Sequence, residues 1–559
     1  MGFDYGLIPV IVFSGLACFG VTIFFKRYGA FKHHWIVWSL MIISAYIPYI
    51  MVVGILPYDI SLCLFGSAVA DHHSLRMTLE VFYWVSFVLT WVINPLIVSY
   101  LRYPYSLTLK RRIWLTIREN LIFWGSIAGV VVVGLIILLA THQLTFNNIF
   151  PLAISLANGY GLLVLCFCLG HGLAAIPRSV WNKANPAAAY LYCLQKISRE
   201  TTLCSVTIAD GDACLVHCQN ANDKLVGKLK QQWEEKGIPR MNRLSRIKGE
   251  LPIPDRCKVG ESKNKKVKKL RKMKWEKCTE MQLEDFFELL DDICLDIEQT
   301  ASYVNDSALN ALKCLRRYKK KISKASVIMF RALAVLLFII NLICLWSELC
   351  LIFDIRYSIF YIISHVAMPQ IVSIICVSTP ILAYLLVVGS WSLRHLKLGS
   401  FFRFIAGATN ANTLNYFSII LCRLGPTIGF HYMQQIGAYD SEFQKVMGVM
   451  NVVVFIGTKW NIYAPILLAV IMIFVFFNII DRICFACGKD PLTYNTSIMH
   501  HTMLQNGEEV LAELQPEAKS LIMSGYRYTN VLDQAKLFGK KTDDKSSLDE
   551  NLLNDVREI

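Results

Sequence analysis

The chain has 559 residues, of which 55% are hydrophobic and only 17% charged, against the ~25% charged usual in soluble domains. A mean hydropathy of +0.45 and apolar blocks of ~20 residues, each able to cross ~30 Å of hydrocarbon, exclude a string of soluble domains and identify a multi-pass membrane protein. The net charge is +15, from 56 Lys and Arg against 41 Asp and Glu. The basic runs flank apolar blocks without any nucleic-acid-binding motif, so an anionic membrane surface is their partner and nucleic acid is not.

In chain order, residues 1–5 carry no positive charge, and Lys26 and Arg27 follow the first apolar block, so no cleavable signal peptide is expected. The pattern predicts an all-α chain with nine transmembrane helices. Five lie at 7–25, 35–56, 80–100, 121–141 and 152–176, and four at 332–353, 366–389, 413–434 and 461–480. The eighth is the least apolar, with Arg423 near its middle. A run at 446–457 is too short to cross and reads as interfacial or re-entrant. Eleven Lys and Arg fall in the short loops on one side, among them Lys26, Arg111 and Arg394, and four (Arg76, Arg356, Lys445, Lys459) on the other. The positive-inside rule then puts the N-terminus outside and the C-terminus in the cytoplasm.

The domain reading follows: 1–177 holds five transmembrane helices, 178–326 a large cytoplasmic helical segment, 327–484 four more transmembrane helices, and 485–559 a partly disordered cytoplasmic tail. Inside 178–326, helical patterns are expected at 190–197, 223–232 and most clearly 281–323, where Leu283, Phe286, Phe287, Leu290, Ile293 and Ile297 recur at helical spacing. Within 258–277 lies a basic loop carrying Lys263, Lys265, Lys266, Lys268, Lys269, Arg271, Lys272 and Lys274. It reads as a solvated loop or as a surface for anionic lipid such as phosphoinositide.

Few residues suggest chemistry. Glu348 and Arg423 lie inside apolar spans, where an ionised group costs ~2.5–3.5 kcal/mol and needs a partner, a water cavity or a proton. Their depths differ by several residues, which disfavours a direct pair, and stabilisation of the bundle outweighs ion coupling as an explanation. Pro95, Pro369, Pro380, Pro426 and Pro465 mark kinks whose freed carbonyls need neighbours or water. Gly125 and Gly129 form a GxxxG in the fourth span. Cys204, Cys214, His217 and Cys218 lack regular zinc spacing, and no phosphate loop, dinucleotide fingerprint, HExxH or GxSxG occurs, so no metal, cofactor or catalysis is expected. Of the 18 cysteines only Cys63 falls clearly in an outer loop, which excludes a disulfide-built ectodomain. In the tail, Tyr528 and Val531 fit a YxxΦ sorting signal, and Asp549, Leu552 and Leu553 fit DxxLL.

Several stretches together resemble the LMBR family of limb-region-type membrane proteins, and within it the LMBR domain-containing protein two subgroup. They are Arg-Tyr-Gly-Ala-Phe-Lys at 27–32, Ile-Leu-Pro-Tyr-Asp-Ile-Ser at 55–61, Tyr-Trp-Val-Ser at 83–86 with Leu-Thr-Trp at 89–91, Asn-Gly-Tyr-Gly-Leu at 158–162, Leu-Gly-His-Gly-Leu at 169–173, Ile-Pro-Arg-Ser-Val-Trp at 176–181 and Trp-Ser-Glu at 346–348. Leu-Cys-Arg-Leu at 421–424, Val-Met-Gly at 446–448 and Tyr-Ala-Pro at 463–465 continue the match. The resemblance implies nine spans, an outside N-terminus and a large cytoplasmic loop. It also implies a receptor, scaffold or escort in receptor signalling and endosomal trafficking, at the plasma membrane or endosomes. Partners would be membrane lipids, cytoplasmic signalling or trafficking proteins, and another membrane receptor or transporter. The short outer loop at 57–79 lacks a sequon and a cysteine pair, which sets this chain apart from that subgroup. The rival reading is a transporter or channel that moves an ion or small solute past Glu348 and Arg423.

Overall fold

In hydrocarbon a backbone N–H or C=O has no water to bond, so each apolar block must close its hydrogen bonds within itself as a helix. The computed structural model describes residues 7–29, 35–65, 72–103, 109–141, 149–251, 253–258, 264–270, 275–320, 323–367, 371–395, 402, 404–407, 409–447, 458–479, 482–483 and 501–531. The first five long helices are α1 (Leu7–Tyr28), α2 (Trp35–Phe65), α3 (His73–Arg102), α4 (Leu109–Ala140) and α5 (Ile149–Asn182). A second helical domain follows, with α6 (Pro186–Lys224), α7 (Ile238–Glu250), α8 (Lys265–Leu270) and α9 (Glu280–Lys319). The chain returns to the bundle with α10 (Lys324–Leu349), α11 (Ile371–His395), α12 (Ala411–Gln435), the short α13 (Glu442–Met447) and α14 (Thr458–Phe476). It ends with α15 (His501–Leu514) and α16 (Pro516–Met523).

Seven of these helices are long and apolar enough to cross a membrane, α1 to α5 with α10 and α11, where the sequence pattern predicts nine spans. The difference is α12 and α14. At 1.5 Å per residue α12 is ~37 Å long, but Asn, Arg, His and Gln along it depress its hydropathy; α14 is apolar but short, and its apolar stretch runs Tyr463–Phe476. The polar residues of α12 are not on a wet surface. Twenty of its 25 residues are buried, against α2, α3, α5, α10 and α11. Backbones approach closely there. A side chain at Gly161 of α5 would strike Thr427, and one at Gly425 would strike Pro48 of α2.

Proline sets much of the local geometry. It lacks an N–H, so the carbonyl four residues earlier loses its helical partner. One response is a widened turn. Single π-helical turns end two residues before Pro57, Pro95 and Pro239 (Ile50–Ile55, Leu89–Ile93 and Trp233–Gly237), and Ile363–Ala367 stands at the same distance from Pro369 in sequence. The other response recruits a neighbouring helix. Pro48 frees the carbonyl of Ser44, which accepts from Cys422 Sγ at 2.9 Å. Pro426 frees that of Cys422, which accepts from Ser86 Oγ at 2.9 Å. Pro177 frees that of Leu173, which accepts from Asn341 Nδ2 at 2.6 Å. Each kink is thereby welded to another helix.

The domain grows directly out of α5. Asn185 caps α6, its side chain accepting from Ala188 N, and Pro186 opens the first turn. The helical pattern expected at 190–197 is part of this one 39-residue helix. Opposite it, α9 begins at a capping box made by Thr279 and Gln282 and matches the expected 281–323 helix closely. The two pack along each other with two apolar clusters between and around them. One gathers Tyr190, Leu194, Val304 and Leu315 with Leu504 and Leu511 of α15; the other gathers Trp233, Leu244, Phe286 and Leu290. Residues 501–531 of the tail, expected only to be polar, are thus a structural layer of the domain. The expected interfacial piece at 446–457 lies, beyond Met447, outside the described residues.

The weld at Leu173 can be tested at the buried Asn341, which also accepts from the Tyr384 hydroxyl. Asn341→Leu should destabilise the protein by ~1–3 kcal/mol because the Leu173 carbonyl is left bare. Restoring the missing N–H with Pro177→Ala should remove most of that cost, read as a double-mutant cycle in detergent unfolding.

Candidate functional site

A polar side chain inside a bundle survives only with partners, and α12 supplies a column of them. Asn415 Nδ2 donates to Asn94 O at 2.8 Å and Ser418 Oγ to Met41 O at 3.0 Å. Beyond Cys422 the column holds Arg423, Thr427, His431 and Gln435, all buried. Near the far end His431 Nδ1 lies 3.0 Å from Glu348 Oε2 of α10, with both residues no more than 5% exposed. Among the described residues His431 Nε2, Ser347 Oγ and Gln435 Oε1 have no hydrogen-bond partner, so the pair sits among polar atoms with capacity to spare. Further out, Asp59 accepts from Glu442 N at 3.2 Å and Phe443 N at 2.8 Å, pinning α13 to α2.

Glu348 and Arg423 do not meet. Arg423 instead lies in an aromatic cage, 5.1 Å from the ring centre of Phe87 and 5.7 Å from that of Trp91, where cation–π attraction of ~0.5–2 kcal/mol offsets part of its burial. Sequence reasoning separated the two by depth and missed His431. Depth counting contains the answer. Glu348 lies 24 residues into α10 and His431 20 into α12, or ~36 and ~30 Å, whereas Arg423 lies 12 in, at ~18 Å. The column links α12 to α2, α3 and α10.

The basic segment meets protein as well as solvent. Within α8, Val267 and Leu270 are buried in the domain core, Lys266 lies 3.6 Å from Asp292 of α9, and Lys268 is exposed. Lys265 and Lys269 lie on the same helix, and Lys263, Arg271, Lys272 and Lys274 lie outside the described residues. The stripe that α8 touches is acidic, with Glu284, Asp285, Glu288, Asp291, Asp292 and Asp296 along α9. Other cations reach it too: Arg111 of α4 lies 3.5 Å from Glu284, and Arg240 of α7 lies 2.9 Å from Asp291. Partial withdrawal from water, then repulsion from Asp292 and Asp210, pushes the Asp296 carboxyl up to about 6; burial also raises Glu288, helped by Asp285 and Asp292, and raises Asp292 against the opposing attraction of Lys266.

The tail motif is folded away. Tyr528 N donates to Glu508 Oε1 at 2.6 Å, its hydroxyl is 2.9 Å from His501 Nδ1, and Val531 is fully buried. A sorting partner therefore gains Tyr528 and Val531 only when this segment leaves the domain. Asp549, Leu552 and Leu553 lie outside the described residues. Cys214 and Cys218 line the apolar core, and no group of three His, Cys, Asp or Glu is placed to hold a metal among the described residues.

A family model described as LMBR1-like membrane protein matches residues 6–480. The LMBR1 domain-containing protein 2 homolog A of Dictyostelium discoideum is 24% identical over 471 residues, which cover 78% of this chain and 62% of that protein, so the chain spans less than two thirds of its length. The LMBR1 domain-containing protein 2 homolog of Drosophila melanogaster is 23% identical, covering 89% of this chain and 81% of its own. A Gallus gallus protein named G-protein coupled receptor-associated protein LMBRD2 is 23% identical, covering 87% and 80%. No solved structure matches.

Two measurements check the geometry. A double-mutant cycle on thermal unfolding should give ~1–3 kcal/mol of coupling between Glu348→Gln and His431→Leu, and little between Glu348→Gln and Arg423→Leu. For Asp296, a folded pKa above the ordinary 3.8 means the acid form is favoured by folding, so its contribution is full below that value and lost as pH rises through about 6. The domain should therefore melt at a higher temperature at pH 5 than at pH 7.5, and Asp296→Asn should raise the melting temperature at pH 7.5 and shrink the difference.

Proposed function

The chain belongs to the LMBR1-like family of membrane proteins, and from that premise we propose that it is a non-enzymatic scaffold or escort for a membrane receptor of the G-protein-coupled class. The names of its relatives support the receptor association. The observation that carries the reading is α4. It packs chiefly on α3 and leaves Phe123, Val130, Ile136 and other large apolar residues exposed along its length. A Cβ added at Gly125, Gly129 or Gly134 would meet nothing within 4 Å, so a partner helix can approach the backbone closely there. The same helix is tied to the domain through Arg111 and Glu284 and to α3 through the Arg102–Glu119 ion pair. A receptor seated on α4 is thereby coupled to the surface that would engage signalling or trafficking proteins.

In this reading α12 and α14 complete nine crossings, the N-terminus is outside, and the helical domain and tail are cytoplasmic, at the plasma membrane or endosomes. The basic segment moves between the acidic stripe of α9 and anionic lipid, phosphoinositide included, each cation near the membrane gaining ~1 kcal/mol from the surface potential. Endosomal sorting through Tyr528 and Val531 would follow release of the tail. The rival reading, transport of an ion or small solute past Glu348 and Arg423, would use two residues that occupy different interfaces.

Proximity labelling from the C-terminus of the full chain should enrich receptors of this class together with coat or signalling proteins. Changing both Gly125 and Gly129 to Ile should remove receptors from that set while leaving thermal stability unchanged. Labelling that finds no receptor would contradict the proposal, as would full receptor recovery by the double variant.

A further inference from the structure

A cavity of about 600 Å³ lies in the membrane bundle between α1, α2, α11 and α12. Its walls are apolar, with Phe13 and Phe24 from α1, Val53 from α2, Val387 from α11 and Leu421 from α12, while Ala17 and Gly20 of α1 leave it room. The walls come from α1, α2 and α11, three helices long and apolar enough to cross a membrane, and from α12, so an opening between α1 and α11 would meet hydrocarbon.

Polar groups occur at three levels only. Arg394 closes the end nearest the helical domain. It donates from Nη1 to the Tyr28 hydroxyl at 2.8 Å and has Nη2 3.2 Å from His395 Nε2, which engages two of its five N–H donors. Arg27, outside the cavity lining, stands over the same Tyr28 ring at 5.8 Å from its centre, as Arg394 does at 5.6 Å. One helical turn further in, the Tyr49 hydroxyl and Ser390 Oγ pair at 2.7 Å. At the far end Thr379 Oγ1, in a residue only 2% exposed, has no hydrogen-bond partner among the described residues. Thr379 and Arg394 are 15 residues apart on α11, or ~22 Å, which is half of a bilayer ~40–45 Å thick including its headgroups.

We propose that this cavity is a binding site for an anionic glycerophospholipid from the leaflet on the domain side, with one acyl chain between α1 and α11 and the phosphate at Arg394 and Arg27. The height fits one lipid, head and tail together, and the cations stand where the headgroup would. An acyl chain gains nothing hydrophobic by leaving lipid for an equally apolar pocket. Selection must therefore come from shape and from net charge: phosphatidylcholine brings the same phosphate with a choline cation that cancels its charge, an anionic headgroup keeps a net negative charge beside Arg394 and Arg27, and a sterol hydroxyl brings no anion.

The test uses the full chain in nanodiscs, with phosphatidylserine or phosphatidylcholine probes carrying a photoactivatable acyl chain. The phosphatidylserine probe should label peptides of α1 and α11, about fivefold more than the phosphatidylcholine probe, the effect of one basic residue at a membrane surface. Unlabelled phosphatidylserine should compete in the wild-type protein, a reading that needs no variant. Gly20→Phe, at a position where an added Cβ meets nothing within 4 Å, should abolish the labelling, and Arg394→Gln should equalise the two probes. Equal labelling by both probes in the wild type would overturn the proposal. So would displacement by sterol but not by phosphatidylserine, or labelling unchanged in a folded Gly20→Phe protein.

Discussion

A carbonyl without a partner inside hydrocarbon costs several kcal/mol, and the bundle is organised around meeting that cost. Pro48, Pro177 and Pro426 each free one carbonyl, and a polar side chain from a different helix fills each vacancy, Cys422 for Ser44, Asn341 for Leu173 and Ser86 for Cys422. Two of the three bonds involve α12. A helix carrying Asn415, Arg423, His431 and Gln435 could not face lipid. Placed centrally, it turns its polarity into links with α2, α3 and α10. Hydrophobic attraction cannot draw helices together in lipid, so these bonds and close backbone approach are what give the arrangement its uniqueness.

From that centre the rest follows outward. The His431–Glu348 pair fixes α10 against α12, and α10 and α5 are the two helices that run on into the second helical domain. In the domain, α6 continues from α5 after Asn185 and pairs with α9, which leads back to α10. The receptor-associated role proposed for the chain uses this continuity, because α4 touches the acidic stripe of α9 at Arg111 while its membrane face stays open.

Much of this was legible in the sequence, for a physical reason. A block of ~20 apolar residues has one low-energy solution in lipid, so α1 to α5, α10 and α11 follow from hydropathy, and Leu283 to Ile297 announce α9 by their spacing. α12 was legible as a helix but not as the centre of the bundle, since Arg423 looked like a weakness where it is caged by Phe87 and Trp91. The partner of Glu348 was not legible from charge alone. His431 is neutral by formal count and emerges only when depths along two helices are compared. Tyr528 and Val531 misled in the other direction. A short motif in a polar tail reads as exposed, and only the tertiary packing of α15 on α6 shows both side chains buried.

The account rests on α12 being a crossing helix shielded from both water and lipid. Single cysteines at Ser418 and Thr427, beside the native Cys422, can be compared with one at Val130 of α4, using a hydrocarbon-soluble thiol probe and a membrane-impermeant aqueous one. The account predicts that Val130 reacts with the first alone and that the three α12 positions react with neither. Reaction of α12 with the aqueous reagent would mean a water-filled path through the bundle, and reaction with the hydrocarbon probe would put α12 at the periphery; either result would contradict the arrangement.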